Sequence, residues 1–454
     1  MQDMYSLPVT AGETSRQARA WLWLGLLSLV GSGLFSVLIV LSRTPYLDSI
    51  FPFVGFFHTA LVVHVDLSVL VWFLAFAGVL WSLNATARCA ACGWTALTLA
   101  AAGALLMTVA PFIAPGHALM SNYIPVLQQP LFLFALLLFG AGVTVLVLRA
   151  LFFTPPVGVW MSGEGALRFG LNTAVVATAI SLIALVWSYL GIPDFVHDKE
   201  YFELLFWGGG HVLQFTHTQL MLVAWLWLAS AAGARQFLGP RVVLFLFAWG
   251  LLAVFFTPII YLGHDVTSAE HRLLFTWQMQ FGGSLASLLV GMAVIAGLLN
   301  GTPRDDTRAE RAALWSSVML FGMGGVIGFL IQGSNVTVPA HYHGCIVGVT
   351  LAFMGMTYHL LPRLGYARPA QGLASWQAYI YGGGQLLHII GLAWSGGYGV
   401  QRKTAGAAQG LDSLERIIPM GLMGLGGLIA IIGGLLFLVV VFRAMYRRPA
   451  GQNL

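Results

Sequence analysis

Twelve long apolar stretches dominate this chain of 454 residues. Each is close to or above the roughly 20 residues that a helix needs to cross the hydrocarbon core of a bilayer. Only 8% of the residues are charged and 58% are hydrophobic, whereas a soluble domain has about 25% charged residues. This composition excludes a soluble globular protein. The predicted spans cover residues 20–43, 54–84, 91–113, 123–153, 170–192, 203–232, 239–262, 270–298, 313–334, 338–362, 374–396 and 416–444.

The spans leave no room for a sizeable domain outside the membrane. We therefore predict an all-α, polytopic membrane protein of twelve transmembrane helices, in which residues 1–454 form one transmembrane domain. Residues 1–19 and 445–454 are its short terminal segments. The first span begins well inside the chain and no cleavage-site pattern follows it, so we expect a membrane anchor and not a removed signal peptide.

The distribution of Lys and Arg predicts the orientation of the chain. With the N-terminus inside, 15 of the 21 Lys and Arg residues fall in cytoplasmic segments and 6 on the opposite side. Because cytoplasmic loops are enriched in these residues, both termini are expected to be cytoplasmic, in the cell inner membrane. The net charge of +5 then reflects this topology, and no nucleic-acid partner is expected.

Two histidines one residue apart, His341 and His343, lie in a predicted span. An imidazole is costly to bury in hydrocarbon, so an intramembrane histidine indicates a functional site. Two residues along a helix correspond to about 200° of rotation, which directs the two side chains to roughly opposite sides. One helix with this motif can hold two separate planar metal cofactors.

Three further histidines share the same depth in the predicted topology. His64 lies in span 2, His211 in span 6 and His264 at the outer end of span 7. At 1.5 Å per residue, these imidazoles and the His-x-His pair all fall in the outer third to half of the bilayer. Although one membrane histidine often serves only as an interhelical hydrogen bonder, convergence of five favours a metal centre.

The motifs around these histidines resemble the catalytic subunit of the heme-copper oxidase superfamily, which includes oxygen reductases and nitric oxide reductases. The segment GSNVTVPAHYH at 333–343 is similar to nitric oxide reductases, and MTYHLLPRLG at 356–365 is similar to C-type cytochrome oxidases. The resemblance covers essentially the whole chain. It implies that His64 and His343 bind a low-spin heme and that His341 binds a high-spin heme, both expected to be b-type. His58 is the alternative to His64.

The resemblance also implies a second metal opposite the high-spin heme. The family supplies one histidine on the sixth helix, here His211, and an adjacent His-His pair at the seventh, which here reads His264-Asp265. Two imidazoles and one carboxylate suit non-heme ferrous iron, with copper as the alternative. Asp265 is otherwise a loop carboxylate that faces water and pairs with Arg272.

Smaller features extend this predicted site. Gln214 lies on the same helical face as His211 and is placed to hydrogen-bond an oxygen ligand or a neighbouring helix. Arg402 and Lys403 resemble the family's cations that hold heme propionates, although surface screening or partner docking is the other interpretation.

The residues at the positions of the family's active-site tyrosine indicate which reaction the chain catalyses. Oxygen reductases of the family draw a fourth electron from a tyrosine bonded to a metal-ligating histidine. Here the A- and B-type position is Phe215 and the C-type position is Pro258. The resemblance therefore favours a nitric oxide reductase, which needs two electrons. A divergent terminal oxygen reductase and a non-enzymatic heme membrane protein are the alternatives.

The supply of protons and electrons is also predicted. The two lysines, Lys199 and Lys403, are assigned to the outer side, and no acidic residue lies in the cytoplasmic half of a span. We therefore expect protons from the outer side without pumping. Because the sequence has no copper-binding or c-type heme motif, electrons are expected from a partner subunit of the cytochrome c or cupredoxin type, or from quinol. Membrane lipid and a small gas are the remaining expected partners.

Overall fold

The computed structural model describes residues 4–41, 56–114, 116–155, 161–402 and 410–447. Within these ranges the chain forms helices connected by short turns, together with one small antiparallel sheet. The helices are α1 (Glu13–Leu41), α2 (Phe57–Val65), α3 (Trp72–Asn84), α4 (Ala90–Ile113), α5 (Pro130–Phe152), α6 (Gly163–Gly191), α7 (Asp198–Ala231), α8 (Pro240–Val254), α9 (Thr257–Gly263), α10 (Ala269–Gly282), α11 (Ser284–Asn300), α12 (Arg308–Phe329), α13 (Thr337–Leu360), α14 (Gln371–Gly397) and α15 (Leu414–Tyr446).

Ten helical segments of the described chain are long and apolar enough to cross a membrane. Three of them join consecutive helices: α2 with α3, α8 with α9, and α10 with α11. The predicted spans at 338–362 and 374–396 correspond to α13 and α14, which have 24 and 27 residues. These two helices are not among the ten, because their histidines and other polar residues lower their apolar character. A multi-pass helical membrane protein is therefore confirmed, and the count of twelve stays a prediction.

The predicted fourth span began too early. Residues His117–Leu119 (β1) and Val126–Gln128 (β2) form an antiparallel hairpin, and α5 begins only at Pro130. Proline has no N–H to donate and its fixed φ suits the first turn of a helix, so it begins α5 here. The hairpin loop contains Tyr123 with a positive φ of 68°.

A π-helical segment interrupts the second span. Residues Asp66–Val71 take this form between α2 and α3, directly after His64. π-Helical turns are rare and occur frequently at functional sites. The carbonyl oxygen of His64, just before this segment, accepts hydrogen bonds from the hydroxyls of Ser68 at 2.7 Å and Ser32 at 3.1 Å.

The helices form two compact units. One comprises Leu7–Leu220 and Pro240–Ser287, and the other comprises Met1–Ser6, Met221–Gly239 and Leu288–Leu454. In the first unit α4 packs along α5 and α1 packs against α3. In the second, α12 packs along α13 and α14 along α15. The prediction of one transmembrane domain stays a prediction.

Candidate active site

The His-x-His pair lies in the first two turns of α13. The Nδ1 atom of His341 donates to the carbonyl oxygen of Gly324 on α12 at 2.7 Å. The Nδ1 atom of His343 donates to the carbonyl oxygen of Pro339 at 2.8 Å, and its ring lies 5.1 Å from the ring of His388 on α14. The two imidazoles therefore face different neighbouring helices, as their separation of about 200° requires.

A glycine on α12 makes room for the His341 ring. A Cβ atom at Gly328 would lie 2.7 Å from the His341 Nδ1 atom and 2.8 Å from its Cε1 atom, closer than van der Waals contact allows. Because Gly328 has no side chain, the ring packs against α12 and reaches the carbonyl oxygen of Gly324. The position of the His341 imidazole therefore depends on residues of both α12 and α13.

His64 has a similar arrangement at the end of α2. Its Nδ1 atom lies 2.9 Å from the carbonyl oxygen of Ser32 on α1 and 2.9 Å from the Ser32 hydroxyl. The His64 ring is half-buried, whereas His58, its alternative, is exposed and contacts the edge of Phe57. The environment of His64 is thus the more constrained of the two.

His211 lies on α7 after three consecutive glycines, and two tyrosines pack against the helix at this point. A Cβ atom at Gly208 would overlap the Tyr261 hydroxyl, and a Cβ atom at Gly210 would overlap the Tyr123 ring. His211 itself is buried, with 3% of its surface exposed. Its Nδ1 atom lies 2.8 Å from the carbonyl oxygen of Trp207 and 2.9 Å from the Tyr123 hydroxyl.

The hairpin that carries Tyr123 is anchored on α7. The backbone N–H of Asn122 donates to the Glu203 carboxylate at 3.1 Å. Gln214, one turn after His211, lies near the Tyr123 phenol. Burial, followed by the nearby charge of Glu203, raises the pKa of Tyr123 above its usual range, so this phenol stays protonated. The structure thus brings together the predicted residues His211 and Gln214 and adds Tyr123.

These four histidines share one feature that suits metal binding. The Nδ1 atoms of His64, His211, His341 and His343 each lie 2.7–2.9 Å from a backbone carbonyl oxygen. A carbonyl only accepts hydrogen bonds, so Nδ1 carries the proton and Nε2 keeps its lone pair. Metal-ligating histidines characteristically donate their other ring N–H in this way. This tautomer therefore leaves the Nε2 atom of each imidazole suited to ligate a metal, heme iron for His64, His341 and His343 and a second metal for His211.

The rest of the predicted second-metal set is not assembled in the structure. His264 is half-buried at the end of α9, and Asp265 is exposed in the following turn. Among the described residues, no three His, Cys, Asp or Glu side chains lie close enough to hold a metal ion. Arg272 pairs with Glu200 at 3.9 Å. Ligation by His264 and Asp265 stays a prediction.

Two buried polar residues near the predicted ligands were not predicted as site residues. His271 on α10 is 0% exposed and lies between the edges of Tyr261 and Phe275. Neither of its ring nitrogens has a hydrogen-bond partner within the described chain. Asp66, two residues after His64, is 1% exposed, and both of its carboxylate oxygens lack a partner there. Burying such a group without a hydrogen-bond partner costs about 1–3 kcal/mol. The positions of these two residues in the sequence do not indicate that they are buried in this way.

The start of α10 also borders an open cavity of about 430 Å³. Its lining residues are Trp207, Thr267, Ala269, Arg272, Leu273 and Thr276.

Of the two cationic residues predicted to hold heme propionates, the structure describes Arg402. Its Nε atom donates to the Ser334 hydroxyl at 3.1 Å, so it lies beside the segment that precedes α13. Lys403 lies outside the described residues. The role of both stays a prediction.

Comparisons with known proteins agree with this architecture. The profile of the family described as Cytochrome C and Quinol oxidase polypeptide I matches residues 16–448. An uncharacterised protein of Rickettsia prowazekii (strain Madrid E) is 29% identical over 499 aligned residues, which cover 94% of this chain and 96% of that protein. An uncharacterised protein of Aquifex aeolicus (strain VF5) is 29% identical over 347 residues, covering 76% and 85%.

A solved structure gives the same fold. The cryo-EM structure of a heme-copper terminal oxidase dimer aligns with a TM-score of 0.74 at 16% identity, covering 98% of this chain and 86% of that chain. At this identity the likeness concerns the fold. Together with the family match over 16–448, it confirms the resemblance seen in the motifs. The chain belongs to the cytochrome c and quinol oxidase polypeptide I family, within the heme-copper oxidase superfamily of membrane oxidoreductases that bind hemes and a second metal.

Proposed function

We propose that this protein is a nitric oxide reductase, which couples two NO to N2O and water. Two electrons and two protons balance this reaction. In this assignment residues of this chain would hold a low-spin heme, a high-spin heme and a non-heme iron, and these groups would supply the two electrons. The proposed ligands are His64 and His343 for the low-spin heme, His341 for the high-spin heme, and His211, His264 and Asp265 for the iron.

The observation that carries the proposal is Phe215, one turn after His211. Oxygen reductases of the A and B types have a tyrosine at this position. Phe215 is 3% exposed and belongs to an apolar cluster, so no phenol is available there. The Tyr261 hydroxyl is directed towards α6, where it hydrogen-bonds Ser188 at 2.7 Å and the carbonyl oxygen of Ala184 at 2.9 Å. Neither position supplies the additional electron that O2 reduction requires.

Oxygen reduction is the second candidate, because one observation favours it. The Tyr123 hydroxyl lies 2.9 Å from the His211 Nδ1 atom, so a phenol does contact the proposed metal ligand from another part of the chain. The contact between Tyr123 and His211 is a hydrogen bond through the phenol oxygen. In the family's oxygen reductases the tyrosine is instead covalently bonded to the histidine. We therefore rank this candidate below NO reduction.

Electron and proton supply complete the proposal. Heme-copper oxidases take electrons from cytochrome c or quinol, and we assign the same classes of donor here, with a cupredoxin-type subunit as a further possibility. Protons enter from the outer side, near the exposed acidic start of α7 at Asp198 and Glu200. The termini are cytoplasmic and the membrane is the cell inner membrane.

Isotope-labelled NO tests the reaction. The purified complex, reduced under anaerobic conditions, is expected to convert labelled NO to labelled N2O. The His211→Ala variant should lose this turnover while it keeps the low-spin heme spectrum, because the low-spin ligands are unchanged. Undiminished N2O formation by His211→Ala would contradict a reaction at this site.

A further inference from the structure

Tyr123, in the loop of the β1–β2 hairpin, contacts His211 across 88 residues of sequence. We infer that Tyr123 is a positioning residue, which holds the His211 imidazole in the orientation that presents Nε2 to the second metal. This inference rests on the proposed second-metal site and not on the identity of the gas. Three separate features of the first unit support it.

The backbone of Tyr123 is the first feature. Its φ of 68° is uncommon for a bulky residue, and such a backbone conformation is energetically unfavourable. It persists only where the surroundings impose it. Here the Ser121 hydroxyl donates to the carbonyl oxygen of Ile124 at 2.5 Å, and the Asn122 N–H donates to Glu203 on α7 at 3.1 Å. The loop is therefore fastened to the helix that carries His211.

The second feature is the space provided for the Tyr123 ring. It occupies the position where any residue larger than glycine at 210 would place its Cβ atom. The ring contacts the His211 ring at a centroid distance of 4.9 Å and meets Trp207 edge-on at 6.2 Å. The absence of a side chain at Gly210, directly before His211, lets the phenol approach the imidazole.

The third feature is the hydrogen-bond pattern at Nδ1. The Trp207 carbonyl only accepts, so Nδ1 carries the proton, and the Tyr123 oxygen is then a second acceptor of the same N–H. Two acceptors on different segments restrict rotation of the ring more than the Trp207 carbonyl alone.

Tyr261 offers a matched control. Its hydroxyl is also buried, packs at Gly208 of the same glycine run and makes two hydrogen bonds, to Ser188 and Ala184. It does not hydrogen-bond His211 within the described chain. Tyr123→Phe and Tyr261→Phe therefore each remove one buried hydroxyl next to the same stretch of α7, and only the first removes a partner of the ligand.

The experiment measures binding of ferrous iron to the chelator-treated complex, with both heme spectra recorded on the same samples. Removal of a hydrogen-bond partner of a ligating histidine typically weakens metal binding 10–100-fold. We expect about this loss for Tyr123→Phe relative to both wild type and Tyr261→Phe, with the hemes retained. Gly210→Ala, which displaces the Tyr123 ring without removing its hydroxyl, should give a similar loss.

Three outcomes would overturn the inference. Equal iron affinity in Tyr123→Phe and wild type would show that the hydroxyl does not position His211. Equal losses in Tyr123→Phe and Tyr261→Phe would assign the effect to general packing. Retained iron with lost turnover would make Tyr123 a participant in the reaction. A wild-type complex that reduces O2 and not NO would contradict the proposed function, but the comparison of iron binding would still test the inference. Iron binding that is unaffected by His211→Ala would contradict both the proposed function and the inference.

Discussion

Four imidazoles in apolar helices carry the proposed chemistry of this protein, and each has its Nδ1 atom held by a backbone carbonyl oxygen. The sequence predicts His64, His211, His341 and His343 as ligands because an imidazole in an apolar span is costly. Their hydrogen-bond partners are different: His64 relies on Ser32 and His341 on Gly324. These contacts join separate helices, so spacing along the chain cannot reveal them. Tyr123 was missed for the same reason.

The low-spin heme ligands can be tested by substitution. We expect His64→Ala and His343→Ala each to abolish the low-spin heme spectrum and to leave some high-spin heme, because the high-spin ligand His341 is unchanged. Absorption spectra of the reduced complexes measure this. His58→Ala is the control, since His58 is exposed. Loss of the low-spin signal in His58→Ala, with its retention in His64→Ala, would move the ligand to His58.

Asp265 allows a second test at this scale. If its carboxylate ligates iron, Asp265→Asn keeps the size, removes the charge and should weaken iron binding, with NO turnover falling by orders of magnitude and both hemes intact. Iron analysis and N2O formation measure these effects. Unchanged iron and turnover would mean that Asp265, which is exposed in the structure, is a loop carboxylate facing water.

At the scale of elements, hydropathy predicts where helices lie but not all of their boundaries. The apolar residues at 124–127 extended the fourth predicted span to 123, yet the structure uses this stretch in the β1–β2 hairpin. Hydropathy does not distinguish a short buried strand from a turn of helix. The predicted sixth-span histidine, by contrast, lies in α7 as expected, because this helix is long, from Asp198 to Ala231.

The α12–α13 pair provides a prediction at this scale. Gly328→Ala should push the His341 ring from its place against α12 and reduce high-spin heme occupancy, with the low-spin heme kept. A loss of about 10–100-fold is typical for disturbed support of a ligating histidine. Heme spectra of the purified variant measure it.

Gly325→Ala is the matched control for Gly328→Ala. A Cβ atom there would meet no atom of the described chain within 4 Å, so we expect this variant to keep the wild-type heme content. Equal heme content in the two variants would show that Gly328 does not support His341.

For the whole molecule, composition alone excludes a soluble protein, and motif resemblance predicts the superfamily that the family match over 16–448 establishes. The reaction is harder to predict, because it depends on which residues complete the ligand set of the second metal. His211 is held by α7 itself, whereas His264 and Asp265 lie at a turn between α9 and α10. The buried His271 nearby shows that side chains outside the motif enter this region.

The central claim is that the protein reduces NO. The most direct measurement is steady-state consumption of NO and of O2 by the purified complex with a reduced electron donor, with heme, iron and copper counted on the same sample. We expect consumption of NO with one N2O formed per two NO, and iron in excess of the heme iron. Consumption of O2 without NO turnover, with copper in place of the additional iron, would contradict it.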